Sequence, residues 1–412
     1  MKTIRLATAI FLLTGFVLTL NPVLAQTSTT TPPVYRLYVS RLKQYSPRDT
    51  FHATTMYPRR ALYYLYPYLT DDAAVRIARW DYAVLALENQ YTSRPQLETI
   101  KRLNPNIRLA FYFPMNEANV EALENPNGSL HALAPLLDRD QDFLKKPDGS
   151  DVSFLPDAIT YHLLRPNVRA AMVQFLTTEP DYSLWNDIFL DNVWSKVTYT
   201  PWVQSGVDSN RNGIADTPRI FNQKWINASI AFMRSLRKAL PTDRRIVANM
   251  SEKNFSPTPL NGRMFEGFPN TLPSERFILQ NYVANIPWRK PLTMIIHAEG
   301  NEDEWEKWNR AVTFTLLGDG YVAYDHGPVP NQGPVDTGRH DVLWWNEELY
   351  QSIGAAKSPR LYSSRMKMYV REFEQAVLLY NPTTVARTVI VQKRDASEVR
   401  VIVPPLNGRL VR

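Results

Sequence analysis

The stretch Asn186-Asp187-Ile188-Phe189-Leu190-Asp191-Asn192-Val193-Trp194 is a short apolar run that ends in a carboxylate, an amide and an indole. Consecutive β-forming apolar residues closed by polar groups are typical of an interior parallel strand. We expect the C-terminal end of this strand to present Asp191 and Asn192 to a cleft. The later stretch Arg263-Met264-Phe265-Glu266-Gly267-Phe268 repeats the layout, with Glu266 at the end of another apolar run.

Two carboxylates at strand ends suggest the chemistry of glycoside hydrolysis. Cleaving an acetal needs one carboxyl group to protonate the leaving oxygen and a second to attack or stabilise the oxocarbenium-like centre. We therefore interpret Asp191 and Glu266 as the catalytic pair. By analogy with retaining barrels that cleave α-linked sugars, Asp191 would be the nucleophile and Glu266 the acid/base. The alternatives are a loop cap for Asp191 and a salt bridge to an arginine for Glu266.

The segment 58–355 alternates apolar strands with amphipathic helices. This order predicts an α/β fold, a TIM-type (β/α)8 barrel whose active site lies at the C-terminal ends of its strands. The eight predicted strands are 62–66, 82–87, 107–113, 188–190, 245–249, 263–266, 292–297 and 320–324. A connection from Glu117 to about Leu164 is long enough to be a functional loop that walls the cleft.

The C-terminal segment 356–412 has a different pattern. Strands at 368–373, 376–380, 388–392 and 399–403 follow one another without intervening helices. Antiparallel strands of this kind predict a small β-sandwich domain packed on the barrel.

The N-terminus has the pattern of a signal peptide, predicted as 1–25. Lys2 and Arg5 precede an apolar run over 6–20, and Val23-Leu24-Ala25 provides a cleavage site. The apolar run is shorter than the ~20 residues of a membrane span, so we expect no span after cleavage. A linker and N-terminal extension, 26–57, follows. The mature protein should be secreted, periplasmic or held at the cell envelope.

Composition excludes several classes of function. The chain has 412 residues, no cysteine and a formal net charge of +7. Removing the leader leaves 45 Lys and Arg against 40 Asp and Glu, a net charge of +5 without a basic cluster, which disfavours nucleic-acid binding. The sequence has no zinc-ligand spacing, phosphate loop or Gly-x-Ser-x-Gly elbow. We expect a monomer that needs no cofactor and has a carbohydrate as its partner.

Other polar and aromatic residues at predicted strand ends are candidates for binding sugar hydroxyls or stacking on sugar rings. A polar residue at such a position more often binds a hydroxyl group than acts as a catalyst. An aromatic residue beside an apolar run more often packs in the hydrophobic core than stacks on a sugar ring. The substrate-binding candidates are Glu88, Tyr112, Asn116, Asn192, Trp194, Asn249, His297, Asp325 and His326, and Tyr63, Trp202 and Phe268 are further candidates for stacking.

The loop Asp208-Ser209-Asn210-Arg211-Asn212-Gly213-Ile214-Ala215-Asp216 follows the first nine positions of a calcium-binding loop. Asp208, Asn210, Asn212 and Asp216 supply oxygen ligands at positions 1, 3, 5 and 9, and glycine occupies position 6. Position 12 is Arg219 instead of the bidentate glutamate. Either a structural calcium ion or a metal-free turn with the same Asx hydrogen bonds fits the pattern.

Seven motifs along the mature chain belong together. They are Asn104-Pro105, Pro147-Asp148-Gly149, Arg165-Pro166-Asn167-Val168-Arg169, Ile188-Phe189-Leu190-Asp191-Asn192, the loop 208–216, Tyr380-Asn381-Pro382 and Asn407-Gly408-Arg409. Over most of the mature chain they resemble the motifs of a group of bacterial glycosyl hydrolases that includes hypothetical glycosyl hydrolase family 15. The strand-four motif is also similar to that of the endo-α-polygalactosaminidase group. The resemblance implies a TIM-type barrel with a C-terminal β-domain and glycosidase activity on an unspecified sugar. His162 departs from the pattern, because many relatives carry Asn or Asp near that position.

Two classes of function follow from these observations. The first is an exported glycoside hydrolase that uses Asp191 and Glu266 on a polysaccharide or glycan. The second is a carbohydrate-binding barrel at the cell surface that has no turnover. Release of reducing sugar distinguishes the two classes.

Overall fold

The computed structural model describes residues 33–46, 48–126, 128–153, 157–197, 206–250, 259–269, 278–280, 282, 288–326, 342–348 and 350–412. The segment Val34–Arg412 is one compact unit. The predicted signal peptide and Trp202 lie outside the described residues. In the part of the chain that is described, no helix combines the length and apolar character needed to cross a bilayer.

Eight parallel strands close into a barrel, which confirms the predicted fold. Each strand pairs with the next in the chain, and Tyr321 and Val322 of the last strand pair with Arg59 and Arg60 of the first. In chain order the strands are β1 (Arg59–Tyr64), β2 (Tyr82–Leu85), β3 (Arg108–Pro114), β4 (Asp187–Val193), β5 (Arg245–Met250), β6 (Gly262–Phe268), β7 (Ile295–Gly300) and β8 (Tyr321–His326).

Helices surround the barrel, and their boundaries follow local capping chemistry. Thr70 caps the first of them, because its hydroxyl accepts the N–H of Ala73 at 3.1 Å. Three others carry proline in the first turn, where a missing N–H costs nothing. The main helices are Asp71–Ile77, Arg94–Leu103, Pro166–Thr178, Pro218–Ala239 and Trp305–Thr315, and shorter ones are Thr50–Thr54, Asn89–Thr92 and Val120–Glu124.

The interior of the barrel is a packed core. Its side chains come from alternate positions of the strands, because successive residues of a strand point to opposite faces. The next residues along the strands face outward and pack under the helices. The buried interior residues are Ala61, Tyr63, Tyr82, Val84, Ala110, Phe189, Val247, Met264, Ile295, Tyr321 and Ala323.

The connection between β3 and β4 contains its own secondary structure. Strands Glu117–Asn119 and Ala158–Thr160 pair antiparallel, and the 3-10 turn Ala134–Leu136 lies between them. Apolar side chains of this region, including Leu133 and Phe143, are buried against the outer core of the barrel. The described residues of this connection therefore form a wall beside the ends of β3 and β4.

The C-terminal segment forms two sheets around a shared apolar core. The strands β9 (Leu361–Ser363), β10 (Met368–Glu372), β11 (Val377–Asn381) and β14 (Asn407–Val411) make one antiparallel sheet. In the other sheet, β12 (Arg387–Gln392) lies between β13 (Glu398–Val403) and Val34–Tyr38, which pairs in parallel. The predicted linker and extension 26–57 thus contributes a strand to this domain. A short bridge pairs Met56–Tyr57, at the end of the same extension, with Gly354–Ala355, directly before the C-terminal segment.

Close contacts attach the β-domain to the barrel. Gly408 of β14 lies against the helix Trp305–Thr315 so tightly that an added Cβ would be 2.5 Å from the Cβ of Thr313. Asn309 donates to the Gly408 carbonyl at 2.9 Å. Nearby, the buried Arg371 donates to Asp319 at 2.6 Å. These contacts explain why both parts belong to one compact unit.

Candidate active site

The end of β4 departs from regular strand geometry at the predicted catalytic residue. The pairing of β4 with β5 shifts register between Leu190 and Val193. Asn192, inside this shift, has a φ of 54°, a left-handed conformation that asparagine tolerates better than most residues. Such bulges redirect side chains from the alternating pattern of a strand. The bulge places Asp191 and Asn192 at the mouth of the barrel, with Asp191 buried.

Glu266 lies at a similar irregularity in β6. The pairing of β6 with β7 shifts register between Phe265 and Phe268. Gly267, directly after Glu266, has a φ of 67°, which glycine adopts without steric strain. Glu266 itself is half-buried. Both predicted acids therefore lie at bulges, where the backbone re-aims a side chain.

One amide connects the two acids. The side-chain nitrogen of Asn249, on β5, donates to Asp191 Oδ1 at 2.9 Å and to Glu266 Oε2 at 2.7 Å. These two oxygens are therefore at most about 5.6 Å apart, the sum of the two distances, which is below the ~6.5 to 9.5 Å typical of inverting carboxyl pairs. The structure brings the two residues together across one small gap.

Tyr112 fixes the second oxygen of Asp191. Its hydroxyl donates to Asp191 Oδ2 at 2.7 Å. Burial and the charge of Asp191 raise the pKa of Tyr112 well above its ordinary value. The same causes raise the pKa of Tyr63, whose ring lies 6.3 Å from that of Tyr112. Both hydroxyls therefore remain protonated at neutral pH, and Tyr112 acts as a hydrogen-bond donor.

His297 and Asp325 form a buried pair beside Glu266. His297 Nε2 lies 3.0 Å from Asp325 Oδ2, and both side chains are almost fully buried. The N–H of Gly267 donates to His297 Nδ1 at 3.4 Å. The ring of His297 also meets that of Tyr63 edge-on, at 5.8 Å between centroids. These contacts hold the imidazole in one orientation under the mouth of the barrel.

The remaining predicted binding residues lie at varied depths around the mouth. Glu88 is half-buried and follows β2 by three residues, at the start of the helical turn Asn89–Thr92. Asn116 is fully buried, and its carbonyl accepts the N–H of Tyr161 at 3.0 Å. Trp194 is half-buried, and its carbonyl accepts the indole N–H of Trp225 at 3.0 Å. His326 is half-buried and stacks on Trp344 with 6.1 Å between ring centroids.

Two acidic residues of the site were missed by sequence reasoning. Glu117 is buried and accepts from Asn192 Nδ2 at 3.1 Å. Glu299 lies near the end of β7, because that strand begins three residues later than predicted. The ligand atoms of Glu266, His297 and Glu299 lie within 4.8 Å of one another, a donor set that a divalent cation could use. The only sequence signal for Glu117 and Glu299 is that each is a carboxylate a few residues beyond the end of a predicted strand.

The predicted stacking residues differ in exposure. Tyr63 and Phe268 are buried at 3% and 1% exposure, so their faces belong to the core. Tyr112 and Trp194 are half-buried and remain at the mouth.

The loop 208–216 forms the Asx hydrogen bonds that both of its interpretations share. Asp208 accepts the N–H of Asn212 at 3.1 Å and that of Gly213 at 2.7 Å. Asn210 also accepts from the N–H of Asn212, and Asp216 from that of Ser209 at 2.8 Å. All four predicted ligands are thus in one turn, and calcium binding stays a prediction.

Sequence comparisons identify no relative of the chain. No protein-family model and no curated protein sequence matches it, so hypothetical glycosyl hydrolase family 15, suggested by the motifs, gains no support.

Structure comparisons return glycoside hydrolases at low similarity. One is a variant of the GH36 α-galactosidase AgaA from Geobacillus stearothermophilus in complex with raffinose, with 9% identity, a TM-score of 0.48 and coverage of 86% of this chain and 55% of that chain. The α-galactosidase from Lactobacillus brevis has 10% identity and a TM-score of 0.45, and the match covers 86% of this chain and 54% of that chain. The maltogenic α-amylase AmyB from Thermotoga neapolitana has 9% identity and a TM-score of 0.43, and the match covers 86% of this chain and 96% of that chain. The chain spans about half the length of these α-galactosidases, and this similarity is too low to assign an activity.

Proposed function

We propose that the protein is a glycoside hydrolase that cleaves O-glycosidic bonds of a polysaccharide or glycan with retention of configuration. The observation that supports this most strongly is the shared amide of Asn249. It keeps the two bonded oxygens of Asp191 and Glu266 at most about 5.6 Å apart, which is compatible with the ~5 to 5.5 Å of retaining carboxyl pairs, at the end of the barrel where such enzymes place their active sites.

Asp191 is the proposed nucleophile. Tyr112 and Asn249 each donate to a different oxygen of its carboxylate, which fixes the orientation of the carboxylate. In the first step an oxygen of Asp191 attacks the anomeric carbon while the bond to the leaving oxygen breaks. A glycosyl ester of Asp191 results, and the negative charge of the carboxylate is consumed in the new bond.

Glu266 is the proposed acid and base. Glu266 is half-buried, and Asn249 donates to it as well as to Asp191, so both carboxyl groups border the same gap. In the first step it gives its proton to the leaving oxygen. In the second step it takes a proton from water as the water oxygen attacks the anomeric carbon, which breaks the ester, frees the sugar and restores both carboxyl groups.

The groups below the acids support this chemistry by position. Contacts with Asp325 and Gly267 fix the orientation of the His297 ring next to Glu266. Asn192, with its amide bonded to Glu117, lies beside the nucleophile at the mouth and is proposed to bind a sugar hydroxyl. The mechanism needs no cofactor. We also propose that the enzyme is a monomer and, from the leader sequence, that it acts outside the cytoplasm.

The experiment compares reducing-sugar release from a panel of polysaccharides and aryl glycosides by wild type, Asp191→Asn and Glu266→Gln. We expect Glu266→Gln to lower kcat by about 10²- to 10⁴-fold, the usual contribution of general acid–base catalysis, and Asp191→Asn by at least as much. The matched control is Glu398→Gln, an exposed carboxylate of the β-domain, which should leave the rate unchanged.

Two outcomes would contradict the proposal. If wild type binds polysaccharide but releases no sugar from any substrate, the carbohydrate-binding barrel without turnover is the better account. If EDTA abolishes release and a divalent cation restores it, the cluster of Glu266, His297 and Glu299 acts as a metal site, and Glu266 is not a free acid/base.

A further inference from the structure

A row of tyrosines extends beyond the end of β1. Tyr64 is the last residue of that strand and is nearly buried, at 6% exposure, whereas Tyr66 and Tyr68 are 45% and 59% exposed. The ring centroids of Tyr64 and Tyr66 are 6.4 Å apart, and those of Tyr66 and Tyr68 are 6.2 Å apart. We refer to Tyr64, Tyr66 and Tyr68 as the tyrosine row.

The backbone that carries the tyrosine row is fixed by the segment after β2. Asn89 donates to the carbonyl of Tyr66 at 3.1 Å, and Thr92 donates to the carbonyl of the next residue at 2.6 Å. The N–H of Leu69 donates to the buried hydroxyl of Ser93 at 2.8 Å. Loop tips with exposed side chains are usually mobile, so three hydrogen bonds at this one fix the backbone that carries the exposed rings. A rigid tyrosine gives a large contact area at low cost in conformational entropy.

The tyrosine row begins next to Tyr63 in sequence, while the side chain of Tyr64 packs in the outer core under the helices. Tyr63, directly before it, points into the barrel, where its ring contacts His297 and lies near that of Tyr112. Tyr66 follows Tyr63 at a sequence offset of three, so their Cα atoms are at most about 11 Å apart, and the Cα of Tyr68 is within about 18 Å. A ligand in the gap between Asp191 and Glu266 therefore needs only a few further units to reach the exposed rings.

We propose that Tyr66 and Tyr68 form an outer subsite that binds the sugar units of a glycan chain beyond the bond that is cleaved. The apolar faces of sugar rings pack on aromatic rings, and the phenol hydroxyls add hydrogen bonds at the edge. The two exposed rings are spaced on the scale of one sugar unit. This inference rests on the proposed function and deepens it, because it assigns a polymeric glycan as the substrate class.

Affinity electrophoresis in native gels tests the subsite with soluble starch, galactomannan and xylan as probes. The parent protein is Asp191→Asn, which should bind a chain without cleaving it. We expect at least one polysaccharide to retard the parent. Adding Tyr66→Ala and Tyr68→Ala should raise the dissociation constant by roughly tenfold, the change that about 1.4 kcal/mol produces.

The matched control adds Tyr362→Ala to the parent. Tyr362 is a tyrosine of similar exposure, 49%, in the β-domain, and its removal should leave retardation unchanged. Thermal unfolding of each variant checks that it is folded. Equal retardation with and without Tyr66 and Tyr68 would overturn the subsite, as would a parent that none of the three polysaccharides retards.

Sugar release by wild type, measured on the same polysaccharides, separates this inference from the proposed function. Release together with binding that does not depend on the tyrosine row means that the subsite is wrong and the hydrolase stands. Binding that depends on Tyr66 and Tyr68 without any release means that the subsite stands and the hydrolase is wrong.

Discussion

Replacing Asn249 by alanine is the perturbation that isolates the geometry of the site. Asn249 is neither of the proposed reacting groups, yet its single nitrogen donates to both of them, at 2.9 Å and 2.7 Å. The Asn249→Ala variant keeps both carboxylates and removes only the group that joins them. Any loss of activity therefore measures the value of their arrangement.

The size of the effect follows from the two lost hydrogen bonds. A hydrogen bond to a charged group contributes about 1.5 to 3 kcal/mol. Asn249 is half-buried, so water can replace part of each bond, and the lower value applies. Two bonds then give about 3 kcal/mol. A loss of 3 kcal/mol lowers kcat/KM by about 10²-fold.

The assay is the rate of aryl glycoside or polysaccharide cleavage by Asn249→Ala and by a control, Asn227→Ala. Asn227 is an exposed amide on the helix Pro218–Ala239, where it bonds only to Gln223 among the described residues. The control should match wild type. The reasoning is refuted if Asn249→Ala is folded and keeps its kcat/KM within about threefold of wild type, a change of only ~0.7 kcal/mol.

The remaining predictions concern stability. The buried Arg371 lowers the pKa of Asp319 against the opposing effect of burial, so this pair stabilises the fold above the unfolded pKa of Asp319 and loses its effect as the pH falls through the lower folded pKa. The side chain of Asp319 is 34% exposed, so solvent screens part of the pair, and Asp319→Asn should lower the free energy of unfolding at pH 7 by about 1 to 3 kcal/mol and reduce the loss of Tm in acid; an unchanged pH dependence of Tm would show that the pair is not responsible. Gly408→Ala should cost about 1 to 3 kcal/mol in urea unfolding, because its Cβ would collide with Thr313, and adding Thr313→Ala should restore part of it. If calcium occupies the loop 208–216, added calcium raises Tm in wild type and not in Asp216→Ala, whereas a Tm independent of calcium and EDTA identifies a metal-free turn.

The order of the barrel strands could be predicted because each buried strand is a continuous apolar run with polar residues at its end. Asp191 and Glu266 were placed correctly on the fourth and sixth strands by this signal. The limits of such strands carry a weaker signal, since a fully buried strand has no alternation to mark where it starts. The apolar residues before Ile295 moved the predicted seventh strand three residues toward the N-terminus. Glu299 was overlooked for this reason.

Long-range pairing could not be predicted from local sequence. Val34–Tyr38 is a strand only because it pairs with Arg387–Gln392 at the other end of the chain. Asn249 was recognised as a polar residue at a strand end, but its position between two carboxylates depends on the closure of the barrel. The bulges at Asn192 and Gly267 are visible only in the pairing registers of the neighbouring strands.

The stereochemistry of cleavage tests the central claim most directly. Proton NMR of the sugar first released by wild type, recorded before the anomers equilibrate, shows whether the configuration of the cleaved bond is kept. Two carboxyl groups as close as those of Asp191 and Glu266 predict that the released sugar keeps the anomeric configuration of the cleaved bond. Release of the opposite anomer would contradict the assignment of Asp191 as a nucleophile paired with Glu266.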